Sequence, residues 1–266
     1  MKKIAVFIFA VFLVFLCGCE GKAKKDECSC LEPQKEGLTL KNGILKIGIE
    51  YGYPPFEYLA EDGKTLIGFD VDMADEICRR LNLKPEYIDT QWAGIFEGLA
   101  TNRYDILISA ATIIPEREKH FWVTRPYVKN SECLIVNSGM KNILDKPEKL
   151  KGLKVACQEM SVSSVFVHEE LLPKTEFEVL EYDKLLDAFE DLKLGRVDVV
   201  VAEAVASKNI VKNSDGKLRV DWYAEESHGF GMMVNKKNKE FFDVISRTLD
   251  DMYSDGFMKS IEDKYF

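Results

Sequence analysis

The sequence predicts an α/β protein built as two similar lobes, each a mostly parallel sheet covered by helices. Two observations carry that reading. Apolar patterns typical of strands and of helices alternate from Ile44 onward, and repeated strand–helix units imply parallel strands with helical crossovers. A short stretch also recurs, with Asn102-Arg103-Tyr104-Asp105-Ile106-Leu107-Ile108-Ser109-Ala110 matching Gly195-Arg196-Val197-Asp198-Val199-Val200-Val201-Ala202-Glu203. The chain has 266 residues, 46% hydrophobic, enough for one large domain or two smaller ones.

The elements follow in order. Met1-Lys2-Lys3 is basic and Ile4 to Leu16 is apolar. That run is shorter than the ~20 residues of a membrane-spanning helix, so residues 1–18 read as a signal peptide. Leu16-Cys17-Gly18-Cys19 resembles a bacterial lipobox, which implies lipidation at Cys19 and anchorage to a membrane. Residues 19–43 are polar and Lys/Glu-rich with no apolar period, and they read as a flexible tether. Cys28 and Cys30 fall in that tether. Cys78, Cys133 and Cys157 fall in apolar segments and read as small core residues. With Cys17 and Cys19 set aside, five cysteines remain of the seven, so no tidy disulfide framework is implied.

Ile44 to Ile49 is a strand. Asp70 is placed as the N-cap of a helix carrying Met73, Ile77 and Leu81, spaced by four. Pro85 to Ile88 is a strand, Ala93 to Ala100 a helix and Tyr104 to Ile108 a buried strand. The second half repeats the order, with a strand at Leu153 to Cys157, a helix from about Ser161 and a strand at Val179 to Tyr182. A helix capped by Asp183 and ended by Gly195 follows, then a strand at Val197 to Val201. Open α/β sheets bind ligands at the carboxyl ends of their strands. Two facing lobes would therefore present residues at the carboxyl ends of their strands to one cleft.

Charge and composition exclude other classes. The formal charge is −9, from 36 Lys+Arg against 45 Asp+Glu, which disfavours nucleic acid as a partner. Three histidines leave little for a His-rich metal centre, and no cofactor or metal is expected. No Gly-x-Ser-x-Gly elbow of a nucleophilic hydrolase occurs.

From about Ile44 to Phe266 the chain resembles the solute-binding proteins of bacterial polar amino-acid ABC transporters, extracellular family 3. The matching segments come in order: Leu45-Lys46-Ile47-Gly48-Ile49-Glu50-Tyr51-Gly52-Tyr53-Pro54-Pro55-Phe56, then Gly68-Phe69-Asp70-Val71-Asp72, then Tyr104 to Ser109 with Thr112 and Pro115-Glu116-Arg117. Gly195-Arg196-Val197-Asp198, Asp255-Gly256-Phe257-Met258 and Lys264-Tyr265-Phe266 complete them. The resemblance implies a type II periplasmic-binding-protein fold, with two hinge crossovers near Lys129 to Val136 and Gly229 to Val234. Lobe 1 would be 44–130 plus 230–266, and lobe 2 would be 131–229. It also implies a monomeric, non-enzymatic protein at the cell envelope, facing the periplasm or the exterior, with a free amino acid and an ABC permease as partners.

Carried onto this chain, Arg117 would hold the ligand carboxylate, as its planar fork suits. Thr112, Ser109 and Ala110 would form a hydrogen-bonding ledge, and Ser161 would offer backbone N–H groups. Glu203 would hold the α-ammonium, Glu50 would meet a distal charge, and Tyr53 and Trp92 would form aromatic walls. Two acids, two aromatics and one Arg favour a basic or polar amino acid. The chain departs from the family at Met160-Ser161-Val162, expected to alter or crowd the carboxylate site, and at Arg125, which reverses a charge near the crossover. Cys78 stands where some relatives have a disulfide, with Pro85 near the partner's place. Two alternatives stay open. One is a dehydratase acting on prephenate or arogenate, which the same fold supports. The other is a ligand-sensing surface lipoprotein.

Overall fold

The computed structural model describes residues 37–266. The expected signal peptide 1–18, the lipidation at Cys19, Cys28 and Cys30, and the tether up to residue 36 lie outside them. Residues 37–43 are tied to the fold rather than free. Leu38 packs on the core, its carbonyl accepts from Asn238 Nδ2 (3.1 Å), and the Leu40 N–H donates to Asp105 Oδ1 (2.6 Å).

The first part of the chain forms β1 (Ile44–Ile49), a small hairpin of β2 (Tyr58–Leu59) and β3 (Leu66–Ile67), α1 (Phe69–Arg80), β4 (Lys84–Asp89), α2 (Trp92–Ala100), β5 (Ile106–Leu107), α3 (Pro115–His120) and β6 (Phe121–Val123). The chain then leaves this sheet through β7 (Val128–Asn137) and β8 (Lys154–Gln158). It continues through α4 (Val162–Phe166), β9 (Glu178–Tyr182), α5 (Leu185–Lys193), β10 (Val199–Glu203), α6 (Ala204–Lys212) and β11 (Leu218–Phe230). It returns as β12 (Met233–Asn235), α7 (Lys239–Ser254) and α8 (Phe257–Tyr265).

Two five-stranded sheets result, in the orders β4-β1-β5-β12-β6 and β11-β7-β10-β8-β9. Both are mixed. β1 is parallel to β4 and β5, whereas β12 runs antiparallel to its neighbours. In the second sheet β8 is parallel to β9 and β10, whereas β7 is antiparallel to β10 and β11. Between the sheets, Val128 to Ser131 pairs with Ser227 to Phe230 alone, because the β7–β10 pairing begins only at Glu132. A two-stranded ribbon therefore links the two sheets.

The recurring stretch has a matching physical basis in both sheets. Asn102 and Gly195 take left-handed φ values of 58° and 69° at the ends of α2 and α5, as helix termination favours. Asp105 Oδ2 then accepts from the Lys46 N–H (2.8 Å) at the start of β1. Asp198 Oδ2 accepts from the Lys154 N–H (2.8 Å) at the start of β8. In each sheet the Asp pins a neighbouring strand near its start, at the end opposite the cleft.

Two expected caps are corrected. Gly68, at φ 143°, precedes α1, and Asp70 lies inside the first turn with its carboxyl buried. A side chain at 68 would meet Phe56 O at 1.9 Å, so the turn that places Asp70 requires glycine. α5 follows Lys184, whose extended backbone leaves Asp183 one residue too early to cap it. Cys78, Cys133 and Cys157 are buried free thiols.

Tyr104 is fully buried with its ring between Gly48 and Gly98, and its hydroxyl donates to the Ile95 carbonyl. A Cβ at Gly48 would stand 2.3 Å from the ring. Gly48→Ala is expected to lower the unfolding free energy by ~1–3 kcal/mol through overpacking. Urea denaturation with an unchanged m-value is the check. A variant as stable as the parent would mean that Tyr104 repacks freely.

Candidate functional site

The carboxyl ends of β1, β5, β8 and β10 converge on one cleft. It is lined by Glu50, Tyr53, Glu57, Trp92, Ser109, Ala110, Gln158, Ser161 and Glu203. Of the residues expected from sequence, Glu50, Tyr53, Trp92, Ser109, Ala110, Ser161 and Glu203 line it directly. Thr112 and Arg117 stand behind them.

Glu50 follows β1 and is buried. Its Oε1 accepts from the Trp92 N–H (3.0 Å) at the start of α2, and its Oε2 accepts from Gln158 Nε2 (2.9 Å) at the end of β8. Its own N–H donates to Ser109 Oγ (3.0 Å). Burial raises the Glu50 proton affinity, and the Gln158 and Trp92 donors oppose that rise.

Glu203 ends β10. It accepts from the Tyr53 hydroxyl and from Thr112 Oγ1 (2.8 Å), both from the first half of the chain. Burial raises its pKa, while the two hydroxyls and the charge of Arg117 draw it back. Its cross-strand neighbour is Glu132, whose carboxylate accepts from Ser163 Oγ (2.6 Å). Burial, reinforced by the nearby Glu203, pushes Glu132 up to about 8.

Arg117 is the buried cation of this region. Nη1 donates to the Thr112 carbonyl (2.7 Å), and the guanidinium lies 4.3 Å from the Phe96 ring centre and 5.3 Å from that of Trp92. Desolvation lowers its pKa to about 10, and Glu203 works against that fall. The two rings and the Thr112 carbonyl together restrict where the fork can lie.

The remaining groups set the ledge and the far wall. Ser109 Oγ donates to Glu57 Oε1 (2.7 Å), and the Ala110 N–H donates to Asp70 Oδ2 (2.7 Å) with Ala110 held at φ 42°. Ser161 caps α4, its Oγ accepting from the Ser164 N–H (3.1 Å) and donating to the Gln158 carbonyl (2.7 Å). Trp92 Nε1 donates to the Met160 carbonyl (3.2 Å), a second bond from the first half of the chain to the β8–α4 turn.

One departure from the family pattern falls differently from expectation. Met160 does not crowd the site: its side chain is 67% exposed, and only its carbonyl and a left-handed φ of 54° serve the turn. Arg125 lies away from the cleft, paired with Asp250 (3.2 Å) and over the Tyr253 ring (4.3 Å).

Sequence reasoning missed Glu57, Gln158 and Glu132 and misassigned Asp70. Gln158 was within reach, since it is the residue at the carboxyl end of β8, where such sheets bind ligands. Glu132 and Glu57 carry no local signal. Only the folded arrangement buries them beside other acids. Among the described residues no group of His, Cys, Asp and Glu is placed to hold a metal ion, and no helix is long and apolar enough to cross a membrane.

The family model for bacterial extracellular solute-binding proteins, family 3, matches residues 45–266. The chain belongs to this family. The L-cystine-binding protein TcyJ of Escherichia coli K12 is 29% identical over 87% of this chain and 86% of its own length. The L-arginine-binding protein of Pseudomonas aeruginosa is 29% identical over 84% of this chain and 87% of its own. An ancestral arginine-binding protein bound to arginine superposes with a TM-score of 0.79 at 32% identity, over 84% of this chain and 98% of that one. This protein is therefore a family 3 extracellular solute-binding protein with the type II periplasmic-binding-protein fold.

The buried acids give the site a pH signature. Glu132 binds a proton in the native state that the unfolded chain releases above its ordinary pKa of 4.5. Its contribution therefore makes stability fall as pH rises from about 4.5 to about 8, and level off above. Glu132→Gln should remove a slope of up to ~1.4 kcal/mol per pH unit in that window. Urea unfolding at several pH values is the check. Equal slopes in both proteins would mean that Glu132 is ionised in the fold.

Proposed function

We propose that this protein captures a free polar L-amino acid, a basic one by preference, and delivers it to the permease of an ABC importer. The observation that supports this most is the pairing of Glu50 and Glu203 in one narrow cleft with Tyr53 and Trp92. Burial makes ionisation costly for both acids. A ligand with an α-ammonium and a second cation would repay that cost by charge pairing. Glu203 would take the α-ammonium and Glu50 the distal charge. The aromatic side chains would flank the stem, and Arg117 with Thr112, Ser109, Ala110 and Ser161 would hold the carboxylate.

The reading extends to the whole chain. Residues 44–130 plus 230–266 act as one lobe and 131–229 as the other. The ribbon Val128–Ser131 with Ser227–Phe230 serves as the hinge. The hydrogen bonds that cross from one side to the other, Glu50 to Gln158 and Glu203 to Tyr53 and Thr112, are those of a closed cleft. Ligand binding shifts an open–closed equilibrium toward this form. The closed monomer docks on the permease, held near it by the lipid on Cys19 at the outer face of a membrane. Relatives that bind arginine, cystine and histidine favour binding over catalysis as the role.

The direct test is a thermal-shift screen of the chain from residue 20 onward, unfolded and refolded beforehand to strip carried-over ligand. The common amino acids, prephenate and arogenate are the probes. Arginine, lysine or histidine is expected to raise the melting temperature, since a ligand at ~100 times its Kd adds ~2.7 kcal/mol. No shift with any amino acid would sink the reading, and turnover of prephenate or arogenate would replace it with an enzyme.

Variants divide the roles. Arg117→Ala and Glu203→Gln should each weaken binding by at least ~2 kcal/mol, by stranding a buried charge of the ligand. Glu50→Gln should instead reduce the preference for basic over neutral amino acids by about tenfold or more, or ~1.4 kcal/mol. Calorimetric titration of the three variants distinguishes these outcomes, and unchanged affinity in Arg117→Ala would remove the assigned anion site.

A further inference from the structure

Glu57 and Asp70 lie beneath the ledge and are 1% and 0% exposed. Glu57 comes just after the Tyr53–Phe56 turn, and Asp70 sits in the first turn of α1. Each has one satisfied oxygen. Glu57 Oε1 accepts from Ser109 Oγ (2.7 Å), and Asp70 Oδ2 accepts from the Ala110 N–H (2.7 Å) and the Tyr127 hydroxyl (2.9 Å). The other oxygens, Glu57 Oε2 and Asp70 Oδ1, have no donor among the described residues.

The two residues are neighbours: the Asp70 N–H donates to the carbonyl of Phe56, next to Glu57 (3.0 Å), and their satisfied oxygens hold the consecutive residues Ser109 and Ala110. The titratable groups that face them from the packed elements are Glu50, Glu203, Tyr53 and Tyr127, all acids or phenols. No ion pair with Lys, Arg or His reaches either carboxyl among the described residues. Two ionised carboxylates here would combine like-charge repulsion with two buried oxygens that lack donors. One proton removes both problems, because it turns one carboxyl into a donor for the other.

We propose that Glu57 and Asp70 share a single proton, and that the resulting carboxyl–carboxylate hydrogen bond is what holds Ser109 and Ala110 in place on the ligand ledge. Ala110 needs such a clamp, because a φ of 42° is unfavourable for a residue with a Cβ. The acceptor that holds its N–H is Asp70, and Asp70 is held in turn by Glu57. Burial raises the pKa of both acids, that of Asp70 to about 7, in accord with a retained proton. The proton belongs to the pair rather than to either residue. Glu57 and Asp70 are thus positioning residues. The importance of the ledge rests on the binding reading above, whereas the shared proton does not.

The test uses ligand-free protein, so its outcome is independent of whether an amino acid binds. At pH 6 the infrared spectrum of the wild type should contain the C=O stretch of a protonated carboxyl that is lost in Glu57→Gln and again in Asp70→Asn. Both amides keep the geometry and supply the donor without a proton. Both variants should also flatten the fall of stability between pH 5 and 7 by the equivalent of one proton. A Glu57→Gln spectrum identical to that of the wild type would overturn the proposal. Amide hydrogen exchange at Ala110 tests the clamp. Glu57→Ala should speed it at least tenfold and Glu57→Gln by less than about threefold, and equal exchange in Glu57→Ala and wild type would overturn the clamp. Should Glu57→Ala fail to fold, Asp70→Asn against Asp70→Ser gives the same comparison.

Discussion

Glu203 belongs to a strand of the second sheet, yet the hydroxyls that satisfy its carboxylate come from Tyr53 and Thr112 in the first half of the chain. A buried carboxylate without donors would take up a proton or be driven back to water. The two hydroxyls keep it inside and let the charge of Arg117 act on it. Much of the site follows from that placement. Thr112 is tied by its carbonyl to Arg117, and the Arg117 guanidinium lies over the Phe96 and Trp92 rings. Trp92 in turn reaches the Met160 carbonyl, and its N–H fixes Glu50. One polar network, with carboxylates at its nodes, therefore sets the register of the two sheets against each other as well as the chemistry of the cleft.

The architecture was legible because it rests on local signals. Apolar patterning marked β1, β4, β8 and β10, and the Arg-x-Asp repeat marked the two places where a helix hands over to a strand. The structure shows why that repeat occurs: Asp105 and Asp198 each pin an N–H near the start of an adjacent strand. Strand ends carry the ligand groups in such sheets, so Glu50, Ser109, Ala110 and Glu203 could be named from pattern together with family resemblance.

What stayed hidden depends on long-range packing. Asp70 looks like a helix cap in sequence, being acidic, small and next to an apolar period. Gly68 takes that position, and Asp70 turns inward to serve Ala110, forty residues along the chain. Glu132 gives no sign in sequence that its cross-strand neighbour is another acid. Met160 looked like an obstruction because sequence records a side chain's volume but not its direction. Arg125 reads in sequence as a charge reversal near the crossover, and what the sequence does not give is its partner, Asp250 on α7.

The path of the chain through the two sheets bears on the order in which they can be assembled. The second sheet uses only strands from one uninterrupted segment, from Val128 to Phe230. The first sheet is different, because β12 lies between β5 and β6, and β6 has no other neighbour. While the chain is being made, or drawn through a membrane from its N-terminus, the second sheet can close as soon as β11 has emerged. The first remains an incomplete sheet with β6 unpaired until Met233 to Asn235 arrive. The half that begins first is thus finished last, and through that interval its open edge is the part of the molecule most exposed to pairing with the wrong strand.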